Sequence, residues 1–211
     1  MGRIPLAIVL LNCMAWNALA EDLHYEITID GARSGTLTRS VSRLENGQTI
    51  HETKASMVYK FLFLSFKYQF RGTETWENGS LISASGDCDD NGTRHRVSWK
   101  SSGGGGTLTR NNRTTTLDFP PWPTSGATPP PAEGKILTLD PDTGLLRTTA
   151  LTKAGSDNVR VEGVDSVAAV WKTDLPGDAK YWFAASGILL RQSWQEQGRK
   201  VVIQLREITR D

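Results

Sequence analysis

The residues most capable of chemistry form the acidic run Asp87-Cys88-Asp89-Asp90-Asn91-Gly92. Oxygen ligands at alternate positions, followed by a glycine, are typical of the start of a calcium-binding loop. The twelfth position of such a loop requires a bidentate glutamate, and here it is Ser98. A polar hairpin turn at Asn91-Gly92 is therefore the preferred interpretation, and we expect neither a metal nor a cofactor.

Glu74 is the second candidate, because strand alternation places it among large apolar side chains. It shares one face of a predicted strand with Phe66, Tyr68, Phe70 and Trp76. A carboxylate on such a face must find a polar partner or keep its proton. Three interpretations remain open: a polar anchor at the floor of an apolar cavity, an acid paired with a nearby arginine or tryptophan N–H, or an acid in water at the strand end.

Two connecting segments are unusually apolar. Residues 61–66 (Phe-Leu-Phe-Leu-Ser-Phe) join two predicted strands where turn residues are expected, and Trp122 lies in a proline-rich segment. An apolar connection is either folded into the core or exposed at the mouth of a cavity, and the sequence leaves both open. In the second case the ligand-binding residues are Phe61, Phe63, Phe66, Tyr68, Phe70, Glu74, Trp76 and Trp122, with Phe61, Phe63 and Trp122 at the rim.

Catalytic patterns are missing from the sequence. It contains no Gly-x-Ser-x-Gly elbow, no His-Glu-x-x-His motif and no phosphate-binding loop. His24, His51 and His95 are too scattered to form a metal-binding pattern. Cys88 is expected to be a buried, inert thiol. We therefore expect a protein that is not an enzyme.

The charge balance argues against nucleic acid as a partner. The chain has 24 Lys and Arg against 23 Asp and Glu, and these charges are spread singly along it. Binding to nucleic acid or to an anionic membrane surface calls for a basic patch, which this distribution does not provide.

Residues 1–20 have the pattern of a secretory signal peptide. Arg3 precedes an apolar run from Ile4 to Trp16, and Ala18-Leu19-Ala20 forms a small-x-small cleavage site. The run is too short to serve as a transmembrane anchor. We expect a single domain over residues 21–211, located in the periplasm or secreted.

The remaining sequence is typical of an all-β protein. Alternating segments such as Leu23–Ile29 are separated by Asp30-Gly31, Asn78-Gly79 and Asn91-Gly92, which favour tight hairpin turns. About a dozen short strands of this kind predict an antiparallel meander that forms a curved half-barrel or open barrel. The proline-rich segment of residues 120–131 is expected to be a loop or a strand edge that runs over the surface, and residues 132–139 could form one short helix or a turn.

Several short motifs resemble those of a bacterial exported family, the domain-of-unknown-function family 6134. They are Tyr25-x-Ile27-x-x-Asp30-Gly31, Glu74-x-Trp76-x-x-Gly79-x-Leu81, Asp89-Asp90-Asn91-Gly92, Thr143-Gly144, and Trp194 before the Gly198 hairpin. The resemblance implies a curved half-barrel similar to periplasmic lipoprotein carriers, in which a sheet wraps an apolar cavity. A fold by itself proves no function, so a ligand class is only implied.

Our sequence-based hypothesis is an exported cell-envelope protein that binds an apolar small molecule or lipid in the concave face of its sheet. The alternative is a non-enzymatic interaction module that docks a protein partner through the apolar segment 61–66. The sequence identifies neither the ligand nor such a partner.

The signal-peptide pattern leads to the first testable prediction. Because the cleavage site ends at Ala20, the N-terminal sequence of protein recovered from the envelope or the medium should begin at Glu21. A mature protein that retains Met1, or one that begins at a lipidated Cys13, would contradict the prediction.

Overall fold

The computed structural model of the protein describes residues 20–61 and 64–210, and at residues 61 and 64 it describes the backbone alone. The predicted signal peptide and Phe63 therefore lie outside the described residues, apart from Ala20. The strands are β1 (Ala20–Ile29), β2 (Ala32–Arg43), β3 (Gln48–Phe61), β4 (Leu64–Glu77), β5 (Ser80–Asp90), β6 (Thr93–Ser102), β7 (Gly105–Arg110), β8 (Arg113–Leu117), β9 (Trp122–Pro123), β10 (Gly134–Leu139), β11 (Leu146–Val161), β12 (Val164–Thr173), β13 (Lys180–Ala184), β14 (Leu189–Glu196) and β15 (Arg199–Arg210).

All these strands belong to one sheet, which confirms the all-β class. Two meanders, β1–β8 and β9–β15, join through the antiparallel pair of β1 and β15, and among the described strands only β9 and β10 pair in parallel. The two edges, β8 and β9, are four residues apart in sequence, so they can be separated by no more than about 18 Å. The sheet must therefore curl toward itself, although β8 and β9 do not pair and it stays open.

The predicted hairpin turns are present. Asp30, Asn78 and Asn91 each have a positive φ near 50°, and each is followed by a glycine that also has a positive φ. Two successive positive φ angles are what a two-residue turn needs to match the right-handed twist of its strands. These turns set the register of the first meander.

The core lies on the concave side of the curled sheet. Alternate residues of β1 (Leu23, Tyr25, Ile27 and Ile29) are buried there. From the second meander, Tyr181 and Phe183 stack with their ring centroids 6.3 Å apart. Hydrophobic burial therefore joins the two meanders around one core.

The proline-rich segment does not run over the surface. Pro121, Trp122 and Pro123 are buried, and so is Ala127 further along. The segment passes into the concave side because interior donors satisfy its backbone: the Tyr181 hydroxyl donates to the carbonyl of Thr124. The prediction that the segment runs over the surface was wrong, whereas the strand edge that its prolines allow is present as β9.

Residues 132–139 contain a strand where we allowed a helix. β10 pairs along its whole length with β11, from Gly134 opposite Leu151 to Leu139 opposite Leu146. Pairing with a long neighbour overrides weak local preferences in a six-residue segment. No helix in the described part of the chain is long and apolar enough to span a membrane.

The turn between β10 and β11, residues 140–145, closes a second part of the concave side. A Cβ atom at Gly86 in β5 would lie 2.4 Å from the carbonyl oxygen of Pro141. At the opposite position in β4, a Cβ at Gly72 would meet the ring of Phe70 at 2.5 Å. These paired glycines let the turn and the aromatic ring lie directly on the sheet.

The outer face of the second meander is covered too. A bulge between Lys153 and Ser156 bends β11, and the far half of the β11–β12 hairpin folds back over β13–β15. There the Trp182 indole donates to Asp157 at 3.1 Å, and the Gln204 amide donates to the carbonyl of Arg160 at 3.1 Å. Val159 is completely buried as a result.

The contact at Gly86 can be tested by adding a methyl group. Gly86→Ala should lower the free energy of unfolding by about 1–3 kcal/mol, because the new Cβ must displace the backbone of Pro141. Denaturant titration measures this. The neighbouring variant Ser85→Ala is the control: Ser85 is exposed on the other face, and its change should stay within about 0.5 kcal/mol. Equal effects for the two variants would contradict the described packing.

Candidate functional site

A cluster of buried polar side chains occupies the middle of the concave face. Register brings its members together: Arg39 of β2 lies opposite Thr53 of β3, and His51 of β3 lies opposite Glu74 of β4. All four are at most 7% exposed. Polar groups in an apolar core need compensating partners.

Arg39 is 2% exposed, and its guanidinium binds neutral oxygens. Nε donates to the Thr53 hydroxyl at 3.1 Å, while the two Nη atoms donate to the carbonyls of Gly126 and Ser125 at 2.9 Å each. Among the described residues no carboxylate lies within 4.0 Å of this guanidinium. Arg39 therefore fixes the inserted proline-rich segment to β2.

Glu74 and His51 complete the cluster. Burial raises the pKa of Glu74 above its usual value. Hydrogen bonds from Ser125 and from the Trp76 indole, at 3.0 Å, and the positive charge of Arg39 act in the opposite direction and lower it. Burial and the charges of Arg39 and Arg43 lower the pKa of His51 to about 3. The imidazole is therefore neutral near pH 7, and its Nδ1 has no hydrogen-bond partner within the described residues.

A second polar group lies beneath the turn of residues 140–145. The Tyr68 hydroxyl of β4 donates to the Asp142 carboxylate. Burial, and next the charge of Asp140, raise the pKa of Asp142 to about 7. Burial also raises the pKa of Cys88 to about 12, so its thiol is protonated near neutral pH and a poor nucleophile.

The predicted ligand-binding residues divide into two groups. Phe70, Glu74 and Trp76 are buried, which confirms that the inward alternation of β4 was assigned correctly. Phe66 and Tyr68, nearer the β3–β4 connection, are only half-buried. The side chain of Phe61 and all of Phe63 lie outside the described residues.

Trp122 is separate from both groups. It is 4% exposed and packs edge-on against Tyr181 of β13, with ring centroids 5.3 Å apart. Its indole donates to the carbonyl of Thr128 at 3.2 Å. Trp122 therefore anchors its own segment inside the fold, and Ser125, three residues later, is the residue that reaches Glu74.

The concave face remains open at one end. Met57 and Tyr59 of β3 and Phe66 of β4 are half-buried there, on the same side of the sheet as the buried Phe70. The Arg199 guanidinium lies 5.1 Å above the ring of Tyr59, which is a cation–π contact. Exposed apolar surface on a concave face is an arrangement that can bind an apolar group.

The acidic run that suggested a calcium loop is engaged in other contacts. Asp87 pairs with Arg96 at 3.2 Å and Asp89 with Arg94 at 3.6 Å. Asp89 also accepts a hydrogen bond from the backbone of Gly92 at 2.8 Å. In residues 20–61 and 64–210, no three His, Cys, Asp or Glu side chains are grouped so that they could hold a metal ion.

Arg39 and Asp142 were not among the predicted site residues. Alternation contained a signal for Arg39, because Leu37 and Val41 flank it on the same face of a strand. Asp142 had no comparable signal, since Asp-Pro-Asp-Thr-Gly is an ordinary surface-turn sequence.

Comparisons with known proteins give a family and a fold. The family model described as "Domain of unknown function (DUF6134)" matches residues 25–206. A crystal structure titled as a beta-barrel-like protein of domain of unknown function DUF1849, from Brucella abortus, is similar with a TM-score of 0.63 and 9% sequence identity. The similarity covers 92% of this chain and 98% of that one, and at this identity it shows the fold alone. No curated protein shows significant sequence similarity to the chain.

The acidity of Asp142 predicts a pH-dependent stability. Folding raises the pKa of Asp142 from 3.8 to about 7, so its protonated form favours the fold and this contribution is lost as the pH rises toward 7. Asp142→Asn removes the loss and still accepts the Tyr68 hydrogen bond. The free energy of unfolding of the variant should equal that of the wild type near pH 4. Above pH 7 it should be larger by up to about 4 kcal/mol.

Denaturant titrations of both proteins between pH 4 and pH 8 measure this difference, which should grow with pH and then level off. The control is Ser85→Ala at an exposed position of β5, which removes no titratable group, so its difference from the wild type should be flat. A flat difference for Asp142→Asn as well would disprove the assignment.

Proposed function

The chain belongs to the DUF6134 family of domains of unknown function, and for this member we propose an exported cell-envelope protein that binds an apolar, lipid-like ligand at the open end of its concave face. The support for export is the leader-like sequence of residues 1–20. The support for binding is the exposure of large apolar side chains on the concave side.

One observation carries the binding proposal. Met57, Tyr59 and Phe66 keep part of their surface exposed, although Met57 and Tyr59 pack against the core, on a face where Phe70 and Trp76 are buried. An apolar side chain that stays partly exposed forgoes a part of the about 1.5–3 kcal/mol that its full burial would contribute. Several such residues side by side on a concave surface favour an apolar ligand that covers them.

The two inserted segments limit where the ligand can lie. Pro141 and its turn cover the sheet at Gly86, and Ser125 reaches Glu74 in the middle of the face. Glu74, Trp76 and Trp122 therefore serve the packed part of the fold in this proposal. The ligand's apolar chain lies over Phe66 and Tyr59.

We propose a binding role rather than catalysis. Glu74 and Asp142, the acids with raised pKa values, are both hydrogen-bonded to side chains of their own fold, Trp76 and Tyr68. Perturbed acidity indicates a functional site only probabilistically, because structural networks perturb it as well. Here the contacts support a structural role for both acids.

The second candidate is an interaction module that docks a protein partner through the same end of the β3–β4 hairpin. Its specific support is Val58, which is 44% exposed on the outer face, between Met57 and Tyr59. A lipid in the concave face would cover Met57 and Tyr59 and would leave Val58 in water. A protein that grips the hairpin from both sides would cover all three.

The binding of a dansylated fatty acid, measured by the change in its fluorescence, tests the proposal. Phe66→Ala should weaken binding about tenfold, because the lost contact is worth on the order of 1.5 kcal/mol, while stability changes little at a half-exposed position. The matched control Val58→Ala removes an apolar side chain at the same level of the hairpin on the outer face and should leave binding unchanged.

The variant Phe70→Ala distinguishes a residue of the packed core from a residue of the proposed binding surface. Phe70 is 6% exposed, so its truncation should lower the free energy of unfolding by about 3–5 kcal/mol. If the wild-type protein takes up no probe, or if Phe66→Ala and Val58→Ala weaken binding equally, the lipid proposal fails. The interaction module is then the better description.

A further inference from the structure

The opposite, outer face of the first meander contains a groove that the proposed function does not use. It has a volume of about 450 Å³ and crosses strands β3–β7. The outer face of the second meander is covered by the β11–β12 hairpin, whereas no described segment folds over this one. The groove is therefore open to solvent, and its side chains indicate what it could bind.

Hydroxyl groups form the floor. Thr73, Ser85, Ser98 and Thr109 are cross-strand neighbours on β4, β5, β6 and β7, each directly opposite the next. Each hydroxyl can both donate and accept a hydrogen bond. The row presents donors and acceptors at the strand spacing of about 4.8 Å, across about 14 Å of surface.

Cations line one wall. Lys54 of β3, Arg71 of β4 and Arg96 of β6 lie in the neighbouring cross-strand row, with Asp87 of β5 between the two arginines. Asp87 is in ion-pair contact with Arg96, at 3.2 Å. Within the described chain, Lys54 and Arg71 have no carboxylate within 4.0 Å, although Glu52 also lines the groove.

The pairing of Lys54 with Arg71 is the unusual feature of this wall. The two cations are directly opposite each other on adjacent strands, where like charges destabilise a sheet. Arg71 is also directly opposite Asp87, so the row holds three cations and one carboxylate, and its excess positive charge lies at the Lys54–Arg71 pair. An anionic group placed between the two side chains would remove the repulsion and would gain charge-assisted hydrogen bonds.

We propose that this groove binds an anionic saccharide, with the acidic group of the sugar between Lys54 and Arg71 and its hydroxyl groups on the Ser/Thr row. The anionic group accounts for the uncompensated cations, and the sugar hydroxyls match a floor that can donate and accept at every position. The site is independent of the proposed lipid-like ligand, because it lies on the other face of the sheet.

Calorimetric titration of the whole protein with a sulfated dextran oligosaccharide tests this, with neutral dextran of the same length and sodium sulfate as comparison probes. The sulfated oligosaccharide should bind most tightly of the three, and its affinity should fall as salt rises. Lys54→Gln and Arg71→Gln should each weaken it about tenfold. Ser98→Ala should weaken the binding of the sulfated oligosaccharide but leave the binding of sulfate unchanged.

Lys60→Gln is the matched control. Lys60 is an exposed cation on the same face of β3, about 20 Å from Lys54, and its loss should leave the affinity unchanged. The thermal midpoint supplies an independent readout: Lys54→Gln and Arg71→Gln remove a like-charge contact, so it should hold or rise while binding weakens.

Three results would overturn the inference. One is no binding of the sulfated oligosaccharide at low salt. Another is an equal loss of affinity in Lys60→Gln, which would indicate unspecific attraction by the surface charge. The third is sulfate binding as tightly as the oligosaccharide with no effect of Ser98→Ala, which would indicate an anion site without saccharide recognition.

Discussion

The hydrogen bonds from Arg39 to the carbonyls of Ser125 and Gly126 are the constraint on which the rest of the concave side depends. A connecting segment can pass through a protein interior only if its backbone polar groups find partners there. A guanidinium with five donors in a fixed plane can satisfy two carbonyls at once and still reach a third oxygen, here that of Thr53. Arg39 makes these hydrogen bonds while it is only 2% exposed. The proline-rich segment can therefore occupy the middle of the concave side of the sheet.

The position of this segment limits where an apolar ligand could bind on the concave side. Residues 122–128 occupy the middle and residues 140–145 lie over β4 and β5, whereas Phe66 and Tyr59 keep part of their surface exposed. The same arrangement explains why Glu74 is tolerated in the core. Its partners are the Trp76 indole and Ser125, and the second of these is present only because the segment is inserted.

Local patterns predicted the strands and turns well, and they failed where distant segments meet. Asn78-Gly79 and the alternation from Phe66 to Trp76 depend on chemistry within a few residues, so the sequence displays them directly. The strand at 134–139 and the inward path of Trp122 depend on β11 and Tyr181, which are close only in the folded chain. Arg39 is intermediate: its alternation with Leu37 and Val41 is visible in the sequence, but the two carbonyls that it binds are 86 and 87 residues away.

Alternation establishes which face of a strand a residue lies on, and the placement of other segments decides whether that face is covered. Phe66 and Phe70 share a face and differ in burial because the turn at Pro141 lies over only one part of β4. The outer faces differ in the same way, since the β11–β12 hairpin covers β13–β15 and leaves β3–β7 open. Both candidate binding surfaces consequently fall on β3 and β4, on opposite sides. Phe66 and Arg71 are five residues apart along β4, or about 17 Å, which is far enough for the two surfaces to act independently.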